Sequence, residues 1–174
     1  MIKSFTTPRF LFISGIILIA ALSRLLPHLP NFTPITAIAL FSGAYLSKRF
    51  AFIIPIAAML IADFIIGFHG TMWAVYLSIS LITLMGLGLA SKIKIVTVLG
   101  YALASSILFF VITNFAVWIG NPYYSQDITG LATSYIAAIP FLSYTLLGDL
   151  FYSGILFGSF YLVHSRFPLL LAKA

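Results

Sequence analysis

Apolar residues run along this chain in long unbroken blocks, with polar residues gathered at the breaks. A spanning helix needs about 20 apolar residues at 1.5 Å rise each, with roughly 17 as a lower limit. Blocks of that kind cover residues 10–26, 50–67, 71–90 and 95–119, and a shorter one covers 34–46. The last block, 131–163, is too long for one upright span. Pro140 is expected to divide it into an interfacial or re-entrant piece, 131–139, and a span, 141–163. Runs such as LFISGIILIAAL are apolar on every side, as a lipid-embedded helix is. A barrel strand would instead alternate with period two. The pattern predicts an all-α polytopic membrane protein, one integral domain over 1–174, with six transmembrane helices. The short second helix fixes the parity.

Charge then orients the helices. Lys3 and Arg9 precede the first helix, Lys48 and Arg49 follow the second, Lys92 and Lys94 follow the fourth, and Arg166 and Lys173 follow the sixth. With six spans these segments share one side, and of the nine basic residues only Arg24 falls on the other. By the positive-inside rule both termini are expected on the cytoplasmic side of a cell membrane. A competing reading makes the first block a signal peptide, with Ala21-Leu22-Ser23 as its cleavage site.

Composition agrees. Of 174 residues 62% are hydrophobic and 7% charged, too few charges for a water-facing surface. The net charge of +6 is scattered in pairs between apolar runs, so it anchors the chain to the bilayer and does not indicate nucleic acid. Cysteine is absent, which excludes disulfides and thiolate metal sites.

The polar residues fall mainly in the outer half. Arg24, His28 and Asn31 lie in a first outer connector stiffened by Pro27, Pro30 and Pro34. Asp63 ends the third helix, and His69, Trp73 and Tyr76 share one face of the fourth. Asn114 and Trp118 end the fifth, and Tyr123, Tyr124 and Asp127 lie in the last outer loop. Asp149 lies roughly 12 Å below Phe141 by helical rise, on a face with Thr145, Tyr152 and Ser153. Buried polar groups in spans face the bundle interior and mark pathways or sites. The expectation is a pocket open to the outer face, floored by Asp149. Its lining residues are Asn31, Asp63, His69, Trp73, Tyr76, Asn114, Trp118 and Tyr123.

Plainer roles compete. The Trp and Tyr residues suit an outer aromatic belt, and Asn114 a hydrogen bond to a neighbouring helix. Asp63 suits a structural ion pair with Arg24, at similar depth. Ala39, Gly43 and Ser47 on the second helix, and Gly154 and Gly158 on the sixth, are small residues spaced by four. They suit helix packing or a partner's docking face.

No hydrolase, zinc-protease or phosphate-loop motif is present, so no catalytic residue, metal or cofactor is expected. The stretches RLLPHLPNFTPITAIALFSGAYL and IPIAAMLIADFIIGFHGTMWAVY carry Pro27-His28, Pro30-Asn31-Phe32, Pro34, Asp63 and Gly67. Over residues 10–165 the chain resembles a family of small bacterial membrane proteins of uncharacterised function. That family is similar to the substrate-binding (S) components of energy-coupling factor transporters. The resemblance implies six helices, a vitamin-like ligand near the outer face, and partnership with an energising membrane module and ATPases. S components commonly dock through small residues spaced by four in the inner half of the first helix. Here that half offers Ser14 and Gly15 among bulky neighbours, so a solitary carrier is the variant reading. The function expected is a substrate-binding subunit or small transporter for a micronutrient, in contact with lipid and a small-molecule ligand. Two alternatives stand beside it: an assembly partner of a membrane complex, and an intramembrane enzyme or proton-coupled permease pairing His69 with Asp63 or Asp149.

Overall fold

The computed structural model describes residues 7–168, and its regular structure there is entirely helical. The helices are α1 (Pro8–Leu22, continued by a 3-10 turn, Ser23–Leu25), α2 (Ile35–Tyr45), α3 (Lys48–Ile66), α4 (Met72–Leu89), α5 (Ile95–Gly120) and α6 (Ile128–Arg166). Local chemistry sets several ends. The Thr7 hydroxyl accepts from the Phe10 amide at 3.2 Å, with Pro8 at the first helical position of α1. Gly67, at φ 110°, closes α3 in a conformation that penalises any Cβ. Asp127 caps α6 by accepting from the Gly130 amide at 2.7 Å.

Among the described residues five helices are long and apolar enough to cross a membrane: Pro8–Leu25, Lys48–Ile66, Met72–Leu89, Ile95–Gly120 and Ile128–Arg166. The expected sixth span falls short. With 11 residues α2 rises about 16 Å, roughly half of a hydrocarbon core. Its position accounts for that: Ile35 to Ala44 are all buried, and α2 packs against each of the other five helices. A helix apolar on every side belongs in a core, where its ends need not reach the membrane surface.

The short helix nonetheless returns the chain. The Phe10 and Phe50 rings meet at 5.1 Å, which joins the starts of α1 and α3. At the opposite end Arg24, just past α1, meets Asp63 of α3 at 2.7 Å. Helices α1 and α3 therefore run parallel, with α2 antiparallel between them. Arg9 donates to the Tyr45 carbonyl at 3.3 Å, and the Tyr45 and Phe160 rings lie 4.0 Å apart, so α2 and α6 both finish beside the start of α1. Arg9, Lys48, Arg49, Lys92, Lys94 and Arg166 thus mark one basic end, with Arg24 at the other. Lys3 and Lys173 lie outside the described residues.

Two prolines are absorbed differently. Pro55 has no amide to bond the Ala51 carbonyl within α3. The Ser42 hydroxyl of α2 donates to that carbonyl at 2.8 Å. Pro140 was expected to break the last helix, but α6 continues through it for 39 residues, so the separate 131–139 piece is not formed. Between the Tyr135–Val111 and Ser106–Asp149 contacts α5 advances about 8 Å and α6 about 21 Å at 1.5 Å per residue, so the stretch of α6 around Pro140 does not run alongside α5.

Candidate functional site

Two buried acids anchor separate polar clusters. The first joins α1, α3 and α4 at the end away from the basic residues. Asp63 is 3% exposed; its Oδ1 accepts from Arg24 and its Oδ2 from the Tyr76 hydroxyl, each at 2.7 Å. The Arg24 guanidinium also lies 3.6 Å from the Met59 sulfur. The expected ion pair is formed, and Tyr76 occupies the second carboxylate oxygen. This cluster is charge-balanced and ties three helices together.

The second cluster is deeper. Asp149 of α6 is 2% exposed. Its Oδ1 accepts from the Thr36 hydroxyl at the start of α2, and its Oδ2 from the Ser106 hydroxyl of α5 at 2.5 Å. Thr145 and Ser153, one turn to either side on α6, are buried too. No Lys, Arg or His is paired with Asp149 among the described residues. Beside it the connector 26–34 lies close against α6. A Cβ on Gly148 would come within 3.1 Å of Phe32 Cα and 3.2 Å of the Thr33 amide nitrogen, so the glycine lets the connector pack tightly there. The Phe32 ring rests 5.5 Å from Phe151 and 5.7 Å from Tyr152. Asn31 turns the connector at φ 60°, the left-handed region that asparagine tolerates.

The remaining expected site residues are placed elsewhere. Trp73 is exposed and lines a cavity of about 370 Å3 with Thr71, Ala116, Asn121 and Pro122. His69 is exposed, with Nδ1 3.0 Å from the Thr71 hydroxyl, so the pairing of His69 with Asp63 or Asp149 is not formed. Asn114 donates to Phe110 on its own helix at 2.8 Å rather than across to a neighbour. The Trp118 indole donates to the Ser125 carbonyl at 2.9 Å, and Tyr123 and Asn31 are exposed. The nine residues expected in one outer pocket are thus divided among the Asp63 cluster, the Asp149 cluster and the loops around Trp73, with Asn114 apart on α5.

The small-residue faces also separate. Gly43 presses on α4, where its Cβ would collide with the Thr83 carbonyl and lie 2.7 Å from Gly86 Cα; Ala39 is fully buried, and Ser47 is exposed in the turn before α3. Gly154 and Gly158 have nothing within 4 Å of a Cβ position, so they serve no helix contact among the described residues.

Sequence reasoning missed Thr36 and Ser106 as Asp149's partners. The available signal was weak: isolated hydroxyls inside apolar runs, which more often bond their own helix, as Ser78 and Thr83 do here. It also missed a cavity of about 690 Å3 at the basic end, lined by Arg9, Tyr45, Lys48 and Phe50 among others.

A family model matches residues 4–170. The chain belongs to DUF6580, a family of unknown function. No curated protein and no solved structure matches it. For this DUF6580 member the acid-centred clusters are therefore the chemistry from which function is argued.

Proposed function

We propose that this protein is a membrane-embedded binding subunit or small carrier for a micronutrient-sized molecule, with Asp149 at its centre. The observation that carries the reading is the burial of that carboxylate among hydroxyls of three helices, with no cationic side chain paired to it among the described residues. An ionised group so placed is costly, and such groups mark substrate and ion pathways in membrane bundles. The proline-stiffened connector packed on Gly148 gives the site a cover that binding would displace. The basic end faces the cytoplasm of a bacterial cell in this reading. The resemblance to S components adds an energising module with ATPases as partner.

Ligand binding tests it. The purified chain and Asp149→Ala are titrated across a panel of vitamins and related micronutrients. A ligand bound by the first and lost, at equal folded fraction, by the second supports the reading. Equal binding by both removes Asp149 from the site.

A second reading, assembly with another membrane protein, is favoured by the uncovered Gly154 and Gly158. Purification in mild detergent should then retain a stoichiometric partner, and Gly154→Leu should release it. A chain that is monomeric and partner-free in the same preparation counts against it.

A further inference from the structure

We infer that the Asp149 cluster is a binding site for one monovalent alkali cation, sodium in the first instance. The inference rests on the reading of Asp149 as the functional centre and names what that centre takes.

Five groups carry the argument. The Asp149 carboxylate is held on both oxygens, by Thr36 of α2 and Ser106 of α5. A hydroxyl has one hydrogen and two lone pairs, so each can donate to the carboxylate and still present an oxygen to a cation. Ser153, one turn beyond Asp149 on the same face, is fully buried and its hydroxyl has no partner. Ser105, beside Ser106, is fully buried and equally unpartnered. Elsewhere in this bundle buried hydroxyls bond the carbonyl one turn back, as Ser78 does to Ala74 and Thr83 to Ile79. Ser153 and Ser105, which break this habit, lie on α6, which bears the carboxylate, and on α5, which bonds it; Ser14 of α1 is unpartnered as well.

Charge and hardness select the occupant. No basic side chain reaches Asp149 among the described residues: Arg24 is spent on Asp63, Arg9 lies at the basic end against Tyr45 and Phe160, and His28 and His69 are exposed in loops. Of the titratable groups on the packed elements, Tyr152 on α6 faces Phe32, Tyr101 on α5 lies toward Gly88, and Tyr45 ends α2 at the far side. A single carboxylate balances a single positive charge, whereas divalent sites gather several carboxylates. The donors are all hard oxygens, with no thiolate or imidazole among them, which suits an alkali ion over a transition metal.

The test uses the full chain in detergent, read by the intrinsic fluorescence of Trp73 and Trp118 during thermal unfolding. Sodium chloride is titrated against choline chloride at constant ionic strength, with no organic ligand present. The expected result is a saturating rise in midpoint with sodium that is absent in Asp149→Asn. Ser153→Ala, which deletes an unpartnered hydroxyl and should fold as well as wild type in choline, is expected to raise the half-saturating sodium several-fold. Equal midpoints in sodium and choline overturn the inference. So does a sodium response that survives in Asp149→Asn or is unchanged in Ser153→Ala. Stability that follows pH and is blind to sodium makes the occupant a proton and overturns it as well. If sodium acts as expected while no micronutrient binds, the ion site stands and the carrier reading fails; the converse pair of results separates them the other way.

Discussion

At the scale of single residues, one serine repairs a defect that a proline creates in a different helix. Ser42 donates to Ala51, the carbonyl left unpaired by Pro55. Ser42→Ala should therefore lower stability by about 1–3 kcal/mol, the cost of a buried acceptor without a partner. Adding Pro55→Ala restores an amide to bond Ala51 and should recover most of that loss. Thermal unfolding of both single variants and the double variant closes the cycle; additive losses would show that Ser42 does not serve the proline. Individual residues were unevenly legible in the sequence. Arg24 and Asp63 could be paired because they end parallel helices at similar depth. Thr36 and Ser106 could not be paired with Asp149, because helical periodicity says which residues share a face and not which neighbouring helix that face meets.

At the scale of elements, the glycines of α2 and α6 make opposite predictions. Gly43 sits in backbone contact with α4, so Gly43→Ala must push the helices apart and destabilise the fold. Gly154 has open space, so Gly154→Ala should be neutral or stabilising by up to about 1 kcal/mol through helix propensity. Unfolding midpoints that fall alike in both variants would contradict this contrast.

The start of α6 carries a pH dependence. The Asp127 carboxyl is held below its ordinary value of 3.8, chiefly by the Gly130 amide and then by the Ser125 hydroxyl. Its contribution is present above that ordinary value and is lost as pH falls through the lowered one. Amide exchange at Gly130, corrected for its intrinsic pH dependence, should accelerate below about pH 4 in wild type and show no such step in Asp127→Asn. The sequence offered Asp127 only as a loop residue, because α6 was expected to begin after it, at a break that Pro140 does not make. A proline inside a membrane-length helix is tolerated where neighbours and local adjustment re-satisfy the backbone, and sequence alone does not show those neighbours.

At the scale of the whole molecule, the alternation of six helices follows from contacts at both ends, and it places residues 7 and 168 at the same basic end. The chain has no cysteine, so single cysteines introduced at Ser91 and Pro122 report their sides cleanly. An impermeant thiol reagent applied to intact cells should label Pro122→Cys and spare Ser91→Cys; the reverse pattern would invert the assigned orientation. The charge pattern made this map readable, since Lys48 and Arg49 demand a return that apolar length alone would not grant to α2. The manner of the return was not readable, because an 11-residue helix crosses only by being wrapped in protein. That wrapping sets an order for biogenesis. The groove that α2 fills is completed by Thr83 and Gly86, which the ribosome makes about 40 residues after Gly43. Until they emerge, the newborn chain holds a segment too short for lipid and without its protein sheath, so the insertion machinery must hold α2 until α4 arrives.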